Sequence, residues 1–122
     1  MKIVLASNNQ GKIREFNFLF KATKFKIIPL KELSKIDVQE TGTSYEENAF
    51  LKAKRANEIS GLPAIADDSG LEVKFLKNEP GIYSARYYGK NASDERNNKK
   101  LLKKMINATK REAKYISVLF FY

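Results

Sequence analysis

The sequence predicts an α/β fold, a mixed sheet covered by helices, and three observations carry that reading. Short strand-like apolar runs alternate along the chain with stretches whose apolar residues recur at helical spacing. The first run, "KIVLAS", is continuous rather than alternating, as a strand buried on both faces is. Each helical stretch opens on a capping signal or a turn-forming cluster.

Taken in order, the Lys2–Ser7 strand stops at "NNQGK", and "KIREFNFLF" then spaces Ile13, Phe16 and Phe20 as one helix face. "KFKIIPL" is the next strand. "KELSKIDVQETGTS" is polar and irregular, the stretch expected to be most mobile. Ser44 with Glu47 forms a capping box for a second helix that runs to about Ile59, before "SGLP". Two strands are expected next, "AIA" and "LEVKFL", the latter with Leu71, Val73 and Phe75 on one face. A Pro- and Gly-containing loop, a helix capped by Ser93 ("SDERNNKKLLKKMI") and a closing strand "AKYISVLFFY" complete the chain.

A chain of 122 residues forms one domain, 1–122, or part of one, and buries roughly two thirds of the surface its unfolded form exposes. No apolar run approaches the roughly 20 residues of a membrane span, and the N-terminus enters a strand at once, without signal-peptide regions. The expectation is a soluble, cytoplasmic protein. With no Cys and no His, thiolate and imidazole chemistry are absent, so any reaction must use carboxylates, lysines, hydroxyls and hard cations. The closing "SVLFFY" has no cap or polar tail. It reads either as a terminus paired in the sheet or, the reading favoured here, as the end of a fragment of a longer protein.

The net charge of +9 invites a nucleic-acid reading, but residues 1–89 carry only +3 of it. The remainder is mostly Lys99, Lys100, Lys103, Lys104, Lys110 and Lys114, spaced as the wet side of a helix and its exit. Lysines outnumber arginines 18 to 5, and aromatics do not interleave with the basic cluster along the sequence, so a solvated face is favoured over a nucleic-acid groove.

Three places look like chemistry. The "SNNQGK" loop joins a buried strand to a helix N-terminus, where backbone donors favour anions and Ser7, Asn9 and Lys12 could add donors and a charge. It lacks the phosphate-loop pattern, so an Asn-rich turn with ordinary capping stays equally open. In the second helix Tyr45, Ala49, Ala53, Ala56 and Ile59 form one stripe, and Lys52 falls inside it, beside Asn48. That lysine either snorkels past the alanines to solvent or meets an anion. In "PAIADDSGLEV", Asp67 and Asp68 stand where a buried strand is expected to end. Paired with Glu40 from "QETGTS", one of them fits a Mg²⁺ site of one or two carboxylates plus substrate phosphates.

The blocks "LASNNQGKIREF", "ETGTSYEENAFLKAKRA", "LPAIADDSGLEV" and "PGIYSARYYG" resemble the noncanonical purine nucleoside triphosphate pyrophosphatase family, also called inosine triphosphate or dITP/XTP pyrophosphatases. The resemblance runs the whole length of the chain. It implies a two-lobed α/β fold around a long cleft and Mg²⁺-dependent hydrolysis of ITP, dITP or XTP to monophosphate and pyrophosphate, which cleanses the nucleotide pool. It puts Ser7, Asn9 and Lys12 on the triphosphate, Lys52 on phosphate oxygens, Glu40 and Asp68 at Mg²⁺, Asp68 on the attacking water, and Ser69 in the substrate-binding block. It also admits a homodimer. The family's later blocks, written GFGYDP and SHR, are absent, so the resemblance is to a C-terminally truncated portion. Two other readings stay open: an inactive remnant that binds nucleotide phosphates, and a basic nucleic-acid-binding module.

Overall fold

The structure, a computed structural model, describes residues 1–122. Its elements are β1 (Lys2–Leu5), α1 (Gln10–Phe20), β2 (Lys26–Pro29), α2 (Tyr45–Ser60), β3 (Ala64–Val73), β4 (Glu79–Pro80), α3 (Asp94–Lys104) and β5 (Ala113–Phe121). Two compact units result: residues 1–68 with 118–122, and residues 69–117. The expected α/β class is found, with parallel and antiparallel pairs in one mixed sheet.

In the first unit β1 lies between β2 and β3, parallel to both, with Ile3 opposite Ile27 and Val4 opposite Ala64. Parallel strands need crossovers, and α1 and α2 supply them. Successive strand residues face opposite ways, so the sheet has two cores. Ile3, Leu5 and Ile27 pack with Ile13 and Phe16 of α1. Val4, Ala6, Ala64 and Ala66 pack with Ala53 and Ala56 of α2. The second core consists largely of alanines, so α2 sits close against the strands. The Ser44 hydroxyl accepts from Glu47 N (3.1 Å), as a capping box requires, while the Glu47 carboxylate accepts from Thr43 N (3.1 Å). Gly61 ends α2 with φ 69°, a left-handed conformation that costs glycine least. Ala64 and Tyr122 exchange both backbone hydrogen bonds, an antiparallel pair that ties the end of the chain to β3, and Phe120 and Tyr122 pack on Phe50.

In the second unit the remainder of β3 pairs antiparallel with the short β4, Glu72 opposite Pro80. The loop after β4 is held by α3. Buried Asn97 accepts from Tyr88 N (2.8 Å) and donates to the Ala85 carbonyl (3.0 Å), and Lys100 donates to the Tyr87 carbonyl (2.6 Å).

Three expectations are corrected. "AIA" and "LEVKFL" are not separate strands: β3 continues through Asp67, Asp68, Ser69 and Gly70, because the two carboxylates find lysine partners rather than ending the strand. Phe75 does not share the Val73 face. The chain leaves the strand at Lys74 in a short 3₁₀ turn followed by left-handed Lys77 and Asn78, which leaves Phe75 exposed. Aromatic and basic groups do interleave in space: Arg96 lies over Tyr88, and Lys100 and Lys104 over Tyr87, which precede α3 in sequence, while Arg86 lies over its near neighbour Tyr83. Part of the basic cluster therefore serves to fix α3 to the preceding loop.

The alanine core has no room for a larger side chain at the fully buried Ala53. Ala53→Leu is expected to cost about 1–3 kcal/mol, seen as a lower urea midpoint with an unchanged slope. Wild-type stability would show instead that α2 has slack against the sheet.

Candidate functional site

The period-two alternation of β3 explains the Asp-Asp pair. Ile65 faces the α1 core and Ala66 the α2 core, so Asp67 turns toward α1 and Asp68 toward α2. Each meets a lysine of the facing helix. Lys12 Nζ lies 2.9 Å from Asp67 Oδ1, and Lys52 Nζ lies 3.4 Å from Asp68 Oδ1. One dipeptide thus places a carboxylate on each side of the sheet.

Lys52 is the centre of the α2 side. Its ammonium donates to Glu40 Oε1 (3.0 Å), the Asp67 carbonyl (2.6 Å) and Asp68 Oδ1 (3.4 Å), which uses all three donors. Of the two sequence readings for this lysine, snorkelling to solvent is not what the structure shows, since its side chain is only 10% exposed; the anions it meets are the chain's own Glu40 and Asp68. Glu40 arrives from the irregular segment, whose approach depends on Gly42. Gly42 N donates to Asn48 Oδ1 at 2.7 Å, and a Cβ on Gly42 would stand 2.7 Å from that oxygen and 2.9 Å from Glu47 Cγ. Gly42 was not singled out in the sequence, because its role rests on a close approach to Asn48 and Glu47 that appears only in the packed structure.

Burial is the main influence on Asp68, and it pushes the carboxyl above the ordinary aspartate range. Lys52 opposes the shift, Glu40 adds to it by like-charge repulsion, and the remaining hydrogen-bond contributions lower it. Burial prevails because Lys52 is shared among three oxygens and stands farthest from Asp68. The Asn48 amide is near enough to favour the ionised form, yet neither Asn48 Nδ2 nor Asp68 Oδ2 completes a hydrogen bond. A buried carboxylate oxygen without a partner is costly, and such atoms call for an explanation.

On the α1 side, Ser7 Oγ accepts from Asn9 N (3.1 Å) and Asn9 Oδ1 accepts from Lys12 N (3.2 Å), capping α1. The ordinary capping reading of the "SNNQGK" loop is therefore correct as far as it goes. It commits Ser7 Oγ and Asn9 Oδ1 as acceptors for the backbone of the α1 cap. No acidic residue stands in the first turn of α1, so its N-terminus stays favourable to an anion. The predicted residues thus fall into two groups, Glu40, Lys52 and Asp68 together and Ser7, Asn9 and Lys12 together. Ser69 lies in the second unit, where its hydroxyl accepts from the exposed Tyr115 hydroxyl (2.9 Å), a partner the sequence did not indicate.

No three acidic side chains close around one point. Glu40 and Asp68 nevertheless converge on one cation, and Asp68 Oδ2 is free. Two carboxylates with a spare buried oxygen suit Mg²⁺, which takes one or two protein carboxylates and completes its shell with water and phosphate oxygens. The donors fit the ion.

The sequence model of the Ham1 family matches residues 3–122. A dITP/XTP pyrophosphatase of Vibrio parahaemolyticus is 52% identical over 120 residues, covering 97% of this chain and 60% of that protein. One from Staphylococcus aureus is 51% identical over 119 residues, with the same coverage, 97% and 60%. Among solved structures, the Ham1 protein of Staphylococcus aureus superposes with a TM-score of 0.84 at 50% identity, covering 100% of this chain and 63% of that one. A HAM1 protein from Coxiella burnetii gives a TM-score of 0.88 at 41% identity, over 99% and 62%. The chain spans about 60% of the length of the curated relatives it matches.

Two outcomes are expected of this geometry. A raised native pKa means that the folded chain binds the Asp68 proton more tightly than the unfolded chain does, so this stabilisation is complete below the ordinary aspartate value of about 3.9 and is lost as pH rises through the native value. Without divalent ions, the stability of Asp68→Asn relative to wild type should therefore rise with pH across that window in chemical denaturation, and a flat difference would contradict the shift. Gly42→Ala should cost about 1–3 kcal/mol by forcing Asn48 and Glu47 aside, measured by thermal unfolding against Thr41→Ala as an exposed control.

Proposed function

Because the chain belongs to the Ham1 family, we propose that it acts on purine nucleoside triphosphates such as dITP, XTP and ITP, hydrolysing them with Mg²⁺ to the monophosphate and pyrophosphate. The observation that carries the reading is the convergence of Glu40 and Asp68 on one buried cation, with Asp68 Oδ2 left unpaired. The names of the relatives supply the substrate class.

In this reading Glu40 and Asp68 hold the metal ion, which when bound neutralises phosphate charge and orients the chain of phosphates. The chain's own groups do the rest. Ser7, Asn9 and the α1 N-terminus donate to phosphate oxygens, and Lys12 and Lys52 add positive charge there. Ser69 supplies a further hydroxyl. Water attacks the α-phosphorus, pyrophosphate leaves, and Asp68 Oδ2 takes the water's proton. Such an enzyme would clear deaminated purines from the nucleotide pool, which places it in the cytoplasm, and the same reading carries a homodimer. No helix of the chain is long and apolar enough to cross a membrane.

The test is pyrophosphate release from dITP, XTP and GTP by the folded 122-residue chain, with and without Mg²⁺. Metal-dependent release that prefers dITP and XTP is expected, falling by about 100-fold or more in Asp68→Asn. Orthophosphate as the product would refute the reaction class. Binding without release would leave a nucleotide-phosphate site that lacks turnover.

A further inference from the structure

The set of atoms around Lys52 Nζ has a chemical character of its own. Glu40 Oε1, the Asp67 carbonyl and Asp68 Oδ1 are two carboxylates and a backbone carbonyl, all oxygens, contributed by the irregular segment and by β3. That is the donor set of a hard cation rather than of a lysine in particular. The ammonium is a compact point charge on a flexible stem, and its contact to Asp68 is the longest of the three. A second cation brought to the same carboxylates would meet the ammonium already among them.

We infer that Lys52 is an exchangeable counter-cation: in the free chain its ammonium stands where the divalent ion is to be held, and it leaves Glu40 and Asp68 as polyphosphate arrives. The inference rests on the proposed assignment of those two carboxylates to the metal. The exchange has an electrostatic logic. Without ligand, the buried carboxylates keep a positive neighbour and the segment carrying Glu40 stays docked. Phosphate oxygens then offer the lysine a better partner, and its departure frees both carboxylates for the ion. Metal and polyphosphate therefore bind in concert, and the free chain holds a divalent ion poorly.

The test measures Mn²⁺ affinity of the nucleotide-free chain by calorimetry and water-proton relaxation. Lys52→Met is expected to lower the Kd by about tenfold or more, since a full charge is removed from beside the ion. Lys52→Arg should bind like wild type, and adding Asp68→Asn to Lys52→Met should abolish the gain. Mn²⁺ binding by Lys52→Met no tighter than by wild type would overturn the inference. Because that variant leaves buried carboxylates without their partner and could fail to fold, a second measurement uses the wild type alone. Acetic anhydride labelling of Lys52, read by mass spectrometry, should rise when Mn²⁺ is saturating, and unchanged labelling would also overturn the exchange. Neither readout needs turnover. A chain that released no pyrophosphate yet showed this order of affinities would lose the proposed reaction and keep the exchange, and active chain without it would do the reverse.

Discussion

The Lys52 ammonium, buried among Glu40, Asp68 and the Asp67 carbonyl, is the interaction on which the first unit depends. Three charges are withdrawn from water there, and the desolvation of ions inside a protein can exceed their mutual attraction. The arrangement persists because three elements converge on it: α2 brings the lysine, β3 two of the acceptors, and the irregular segment the third. Without Lys52 that segment would lose its charged contact with α2, while the Gly42–Asn48 and Thr43–Glu47 hydrogen bonds, the Asn8–Asp37 hydrogen bond and the packing of Val38 would remain. Of these hydrogen bonds, Gly42–Asn48 is the buried one.

The geometry of a strand then distributes charge over both faces of the sheet. In a turn, adjacent aspartates have no fixed relation. In β3 they point in opposite directions, so Asp67 answers Lys12 and Asp68 answers Lys52 with no further adjustment of the backbone. The two pairs differ in kind. Lys12–Asp67 is partly open to solvent, where an ion pair contributes modestly and an incoming anion can compete for the lysine. Lys52–Asp68 is nearly enclosed, which raises the Asp68 pKa and leaves Oδ2 without a partner. An atom kept in that state is a liability for stability, and proteins keep such liabilities mostly where chemistry uses them.

Much of the positive charge of the second unit also has local employment. Lys100 and Lys104 lie over Tyr87, Lys104 reaches Glu79 (3.4 Å), and Arg96 both stacks on Tyr88 and donates to the Asn91 carbonyl (2.8 Å). These contacts, with Asn97, shape the loop between β4 and α3. Net charge counted along the sequence therefore overstates the basic surface offered to a partner.

The sequence by itself determined what depends on neighbours in the chain. The Ser44 and Ser93 caps, the continuous apolar run of β1, the alanine stripe of α2 and the anomaly of Lys52 within it are all local patterns, set by dihedral preference and helical period. Only the tertiary structure decided whether the Asp-Asp pair would end a strand or run through it. That choice turns on lysines 55 residues away, from Lys12 to Asp67, and 16 residues away, from Lys52 to Asp68, and on the helix faces that carry them. Glu40 has the same dependence. Its carboxylate becomes part of a site because Gly42 lets the backbone pass close to Asn48, and close approach between non-adjacent atoms is a property of packing that no local pattern encodes.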